Sequence, residues 1–188
     1  MEILHKKRLL IVPVILSFLF LAVPPPAFGG HAQHPDPIDT VTCQVDVRYS
    51  PHGGVAAAVI STLDGAGETI HVAMYGLTHA GIVDALIAAQ GRRVEVVLKT
   101  DKVESAGRTQ SAAIARLTDA GVTVEVSNMS RQLHDKFAVI DGKWIITGSF
   151  NWTSNAENRN RENLVILDCL DLAQSFEAEW ELILPDAP

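Results

Sequence analysis

Apolar and polar residues alternate with period two over residues 42–50, "TCQVDVRYS", which predicts a half-buried strand. After the punctuating "PHGG", the run "VAAAVISTLDGA" carries apolar residues at helical spacing and stops at Gly65 and Gly67. The nearly continuous apolar run "TIHVAMYG" predicts a strand covered on both faces. An amphipathic helix over 79–91 follows, closed by Gly91, and then a strand over 93–100. "DKVESAGRT" reads as a loop, residues 110–121 as a further glycine-closed helix, and 122–127 as a strand.

Beyond this point the rhythm changes. Residues 133–141 and 143–150 are two strand-like runs joined by Asp141-Gly142, a two-residue hairpin signal. "TSNAENRNR" is a polar connection with room for a helical turn, 163–169 is a strand, and 171–184 is a closing amphipathic helix. Repeated strand-helix-strand units imply parallel pairing, and the hairpin adds an antiparallel part. The predicted fold is therefore α/β: a mixed, largely parallel β-sheet flanked by helices on both faces, with no internal repeat.

Three features outside the sheet change the picture. Residues 1–29 begin with a basic cluster (Lys6, Lys7, Arg8), continue as an apolar run, and end in prolines and small residues. This is the pattern of a signal peptide cleaved after Ala27 or Gly29, the alternative being an uncleaved anchor. The protein is expected to be secreted or periplasmic, with residues 30–40 a flexible leader, 41–188 a single catalytic domain, and no stable membrane association after cleavage. The formal charge of -7 becomes -9 once the +2 of residues 1–29 is removed, unlike the basic surface of most nucleic-acid binders. Two cysteines, Cys43 and Cys169, both lie in the exported part, where a disulfide or two buried thiols are open readings.

The chemistry concentrates at 134–162. His134 and Lys136 are two apart on a strand and share a face, while Asp135 points away. Pairing across the Asp141-Gly142 turn returns Gly148, Ser149 and Asn151 to the same end. Lys136 offers a compact positive charge, and Ser149 and Asn151 offer neutral donors, a set suited to the non-bridging oxygens of a phosphodiester. An imidazole can attack phosphorus or protonate a leaving alkoxide, and Glu162 can orient it. Double displacement needs a nucleophile and a separate acid, so one such set calls for a second copy.

"HDKFAVIDGKWIITGSFN" resembles the phospholipase D superfamily signature, H-x-K-x(4)-D-x(6)-G-S-x-N, at His134, Lys136, Asp141, Gly148, Ser149 and Asn151. "YSPHGG", "HVAMYGLTHAGIVDAL", "AGRTQSAAIARLTDAGV" and "FNWTSNAENRNREN" are similar to stretches of the small secreted bacterial nucleases of that superfamily. The resemblance implies a phospholipase D/nuclease-like fold and a metal-independent phosphodiesterase without cofactors, working through a phosphohistidine at a homodimer interface. It implies His134 as nucleophile and, from the second copy, as general acid. It further implies that Lys136 and Asn151 hold the phosphate, that Ser149 supports that site or the imidazole, and that Glu162 hydrogen-bonds the histidine, with Asp141 structural. Trp152 is a candidate for stacking on a base, the alternative being burial under the site. His71, His79, Tyr75, Lys99, Lys102 and Arg108 are weaker candidates. The family fold also makes the first and last strands antiparallel neighbours, which would let Cys43 meet Cys169. The leading function is a non-specific endonuclease acting on DNA or RNA. The alternatives are a phospholipase D-type head-group hydrolase, which the acidic charge favours, and a non-catalytic nucleic-acid-binding domain.

Overall fold

The computed structural model describes residues 41–127 and 131–184; the expected signal peptide 1–29 and leader 30–40 lie outside the described residues. Seven strands form one sheet in the order β1-β7-β6-β5-β2-β3-β4. They are β1 (Gln44–Ser50), β2 (Thr69–Met74), β3 (Glu95–Thr100), β4 (Thr123–Val126), β5 (Lys136–Ile140), β6 (Trp144–Gly148) and β7 (Glu162–Asp168). The helices are α1 (Val55–Asp64), α2 (Ala80–Gly91), α3 (Lys102–Ser105), α4 (Arg108–Asp119), α5 (Ser154–Asn158) and α6 (Leu170–Leu182). No described helix is long and apolar enough to cross a membrane.

The α/β class and the mixed sheet stand, but the parallel share is smaller than the strand-helix rhythm suggests. Only β2–β3 and β3–β4 pair in parallel, whereas β1–β7, β7–β6, β6–β5 and β5–β2 are antiparallel. The cause is the hairpin: it enters beside β2 rather than β4, and every later strand then reverses direction. The hairpin loop is also longer than the Asp141-Gly142 signal suggests. Ile140 pairs with Trp144, leaving three residues in the loop, with Asp141 and Gly142 both at positive φ. Residues 102–105, read as loop, form the short helix α3.

Strand alternation sorts the core into two layers. Ile70, Val72 and Met74 of β2 face α1, α2 and α4, together with Leu98, Ala138, Ile140, Ile146 and Ile166. Those helices present matching stripes: Val55, Val59 and Leu63; Ile82, Leu86 and Ala89; Ala113 and Leu117. Ala73, Val97, Phe137, Val139 and Ile145 face the other way, against Ala173, Trp180 and Ile183 of α6 and its end. Helices therefore flank both faces, but α6 alone covers the second among the described residues. Its N-cap residue Cys169 is joined to Cys43 by a disulfide across the antiparallel β1–β7 pair. Partway along α6, Glu177 meets His71 of β2 at 2.8 Å.

Candidate active site

The open end of the β5–β6 hairpin is fixed before any motif residue is reached. Asp101, buried at the end of β3, accepts from Val103 and Glu104 N–H at 2.8 and 3.0 Å and caps α3. Its other oxygen accepts from the Leu133 N–H at 3.0 Å, pinning the residue before His134. Met74 pairs with Lys136, and the Tyr75 N–H donates to the Asp135 carbonyl at 3.0 Å, extending the ladder beyond the strand. Gln110, buried on α4, accepts from Leu77 N–H and donates to the Tyr75 carbonyl, both at 2.9 Å, and holds the loop after β2. Asp101-x-x-Glu104 is a capping-box spacing, so a local signal for that cap existed in the sequence. Gln110 had none, because the loop groups it holds are more than thirty residues away.

His134 and Lys136 come together as the spacing predicts. Lys136 Nζ stands 3.2 Å from His134 Nδ1 and donates to the His134 carbonyl at 2.7 Å. An ammonium is donor only, so Nδ1 accepts, and the proton of a neutral ring lies on Nε2. Burial lowers the Lys136 pKa, an effect that Asp135 and Glu162 partly offset. The Tyr75 ring lies 4.7 Å from the His134 ring, tilted by 55°, and 5.3 Å from Lys136 Nζ.

The returning strand brings Ser149 and Asn151 to the same end. Gly148 sits at φ 143, and a Cβ there would collide with the Asn163 carbonyl of β7, so only glycine allows the close approach. That approach lets Ser149 N–H donate to the Asn163 carbonyl, while Ser149 Oγ accepts from the Asn163 N–H, each at 3.1 Å. Ser149 Oγ also donates to Glu162 at 2.6 Å. Asn151 Oδ1 accepts from the Gly76 N–H at 3.2 Å, which orients the amide and leaves its NH2 as the group free to donate.

Several expectations are corrected here. Glu162 does not meet the His134 ring: its carboxylate already accepts from Ser149 Oγ and from Asn160 Nδ2 at 2.9 Å, and the ring lies against Tyr75 and Lys136 instead. Trp152 cannot stack on a base, because it is 1% exposed and packs in the core beneath the site. Lys99 is 5% exposed on the α6 face, 3.6 Å from the Trp180 ring and bonded to its carbonyl at 3.0 Å. His79 caps α2 by accepting from the Ile82 N–H at 3.4 Å, a structural use of the ring. Asp135, one residue before β5, lies towards Phe176 and Glu179 of α6. It lines a cavity of about 510 Å³ with His134, Lys136, Thr147, Phe176 and Glu179. Burial raises the Asp135 pKa, and Glu179 adds to the rise.

A charged donor stands beside a solvent-facing imidazole, and an oriented amide and a hydroxyl share the same end of the hairpin. The arrangement can bind a tetrahedral anion and move protons beside it. A "Cardiolipin synthase, PLD-like domain" family model matches residues 59–184. The chain is 34% identical over 137 residues to a phospholipase D of Rickettsia conorii, covering 73% of this chain and 68% of that one. It is 30% identical to a mitochondrial cardiolipin hydrolase of Chlamydomonas reinhardtii, over 71% of this chain and 59% of that one. Among solved structures, the phospholipase D family member Nuc of Salmonella typhimurium superposes with a TM-score of 0.73 at 34% identity, over 76% of this chain and 94% of Nuc. NucT of Helicobacter pylori has the same fold, with a TM-score of 0.70 at 22% identity, over 76% and 96%. This chain belongs to the phospholipase D superfamily and is a phosphodiesterase of the phospholipase D-like type.

Proposed function

We propose that the protein is an exported endonuclease that cuts DNA or RNA without a metal ion, through a phosphohistidine formed at a homodimer interface. The observation that carries the choice of a polyanion is a set of four exposed arginines on the segments around His134. Exposed Arg108, Arg131, Arg159 and Arg161 belong to the loops and helix ends around His134. Exposed Asp64, Glu68, Glu95, Asp119 and Asp171 belong to the opposite end of the sheet, together with exposed Arg92, Arg93 and Lys143. Despite the acidic total, the arginines around His134 can meet the phosphates on either side of the scissile one.

In this reading Lys136, Asn151 and Ser149 bind the non-bridging oxygens. The phosphate draws the Lys136 ammonium away from Nδ1, the ring proton moves to Nδ1, and Nε2 presents its lone pair. Nε2 attacks phosphorus as the P–O bond to the leaving oxygen breaks, and His134 of the partner subunit gives that oxygen a proton. That partner imidazole then takes a proton from water, whose oxygen attacks phosphorus as the P–N bond breaks. Ser149 and Glu162 act as a hydrogen-bonded pair beside the phosphate, and Glu162 supports Lys136 electrostatically.

The second copy has a surface to occupy. Val45, Val47 and Tyr49 of the edge strand β1 are 57%, 44% and 64% exposed on the α6 face. Val47 pairs with Val165, and Val165 with Thr147, which lines the cavity beside His134. An apolar stripe on that scale favours association, and here it leads to the site. Export fits the Cys43–Cys169 bond, since disulfides persist in oxidising compartments.

The deciding assay runs in chelator and compares plasmid DNA, single-stranded RNA and phosphatidylcholine vesicles. Cleavage of nucleic acid by wild type and its loss in His134→Ala are expected; hydrolysis of lipid alone would move the assignment to the second reading. That reading, a head-group hydrolase, draws on the relatives named phospholipase D and cardiolipin hydrolase. Val47→Asp is expected to convert a dimer to an inactive monomer in light scattering, and a fully active monomer would end the shared-site proposal.

A further inference from the structure

The loop after β2 contributes one side chain that touches both members of the His134–Lys136 pair. Tyr75 is half-buried, its ring 4.7 Å from the His134 ring and 5.3 Å from the Lys136 ammonium. A ring at that range attracts a cation through its π face and blocks one side of the imidazole. The ring is itself held at three points. The backbone N–H donates to the Asp135 carbonyl at 3.0 Å, the carbonyl accepts from Gln110 at 2.9 Å, and the phenol donates to Glu104 at 2.8 Å. Glu104 belongs to α3, whose cap Asp101 also pins Leu133. The same short helix thus fixes the tyrosine from one side and the histidine loop from the other.

We infer that Tyr75 is a positioning residue for phosphoryl transfer: tied to α3 through Glu104, its ring sets the orientation of His134 and keeps the Lys136 ammonium beside it. The inference rests on His134 and Lys136 being the catalytic pair. It does not depend on whether the substrate is nucleic acid or lipid. The phenol contributes through its tie to Glu104, whereas the ring face contributes directly. Phenylalanine should therefore preserve most of the effect, and a non-aromatic side chain should not.

The test uses the full chain and two readouts. The first is the His134 Cε1–H resonance, assigned by its absence in His134→Asn and followed with pH. The second is the kcat and KM for bis(p-nitrophenyl) phosphate, a substrate neutral between the two functional readings. Tyr75→Leu should displace the resonance and lower kcat by roughly tenfold to a hundredfold, with KM changed by less than about threefold, as misorientation of a reacting group does. Tyr75→Phe should return the resonance close to its wild-type position and recover most of the kcat, and Glu104→Gln, whose amide oxygen can still accept from the phenol, should be at least as active as Tyr75→Phe. Tyr75→Met replaces the leucine variant should that one fail to fold, with the His71 and His79 resonances reporting the fold. A wild-type His134 resonance in the non-aromatic variant, or a phenylalanine variant no better than it, overturns the inference. Wild-type activity in His134→Asn would instead remove the catalytic reading, and the resonance would still decide whether Tyr75 orients the ring.

Discussion

Both ends of the β5–β6 hairpin carry signature residues, but they are built on opposite terms. At the turn, Asp141 accepts from the backbone N–H groups of Gly67, Glu68 and Thr69 at 2.9, 2.8 and 2.9 Å. Lys143 pairs with Asp168 at 3.1 Å, its carbonyl accepts from the Cys169 N–H, and Cys169 is bonded to Cys43. The polar groups there serve to tie strands together. At the open end, His134 and Ser149 are solvent-facing, and the Asn151 NH2 and the imidazole retain capacity for a ligand. A signature can thus contain two kinds of residue. Those whose hydrogen bonds end inside the fold support it, and those left with unused donors facing solvent are placed for chemistry.

That contrast breaks most sharply at His134. His134→Ala should lower the phosphodiesterase rate by about a thousandfold or more and leave the unfolding midpoint in place. A large stability loss with residual activity would put the open end in the same class as the turn. The reverse is expected of the disulfide at the other end. Replacing Cys43 and Cys169 by serine should remove on the order of 4–5 kcal/mol in the chain-entropy model, read by denaturant unfolding, with the rate per folded molecule kept.

Asp141→Ala should cost about 2–3 kcal/mol, since three N–H groups lose a charged acceptor, again with activity per folded molecule retained. Burial pushes the Asp141 pKa up, but the donors at Gly67, Thr69 and Glu68 outweigh it and hold it below the ordinary value. The stabilisation is therefore complete above the unfolded carboxyl pKa and lost as pH falls through the folded one. Urea midpoints of wild type and Asp141→Asn should accordingly converge in acid.

The smallest expected effect lies away from both ends, where Glu177 raises the His71 pKa against the opposing effect of burial. A raised pKa stabilises fully below the unfolded value and ceases to do so as pH rises through the folded one. The gap in midpoint between wild type and His71→Gln should therefore be widest in mild acid and narrow with rising pH. A gap that widens with pH would contradict the ion pair.

The signature was legible because its residues sit within one hairpin, where a period of two and a turn fix which groups meet. Trp152 misled for the opposite reason. Its neighbour Asn151 faces the site, but the chain turns between them, and the indole fills the core. The bonding of Glu162 was not legible, because Ser149 and Asn160 compete for its oxygens at short range. The parallel share of the sheet was overestimated because strand-helix rhythm reports local connections, not where a hairpin inserts.

The sequence alone determined the α/β class, the two-sided burial of β2, and the hairpin that gathers His134, Lys136, Ser149 and Asn151. Local periodicity and fixed spacing are enough for these, since each depends on residues close along the chain. Tertiary structure alone decided that Asp101, just after β3, would anchor the loop before His134, and that Gln110 and Glu104 would hold Tyr75 beside His134 and Lys136. It also left Val45, Val47 and Tyr49 uncovered beside α6. Those contacts join segments separated by tens of residues, and only the strand order brings them within hydrogen-bonding or packing distance.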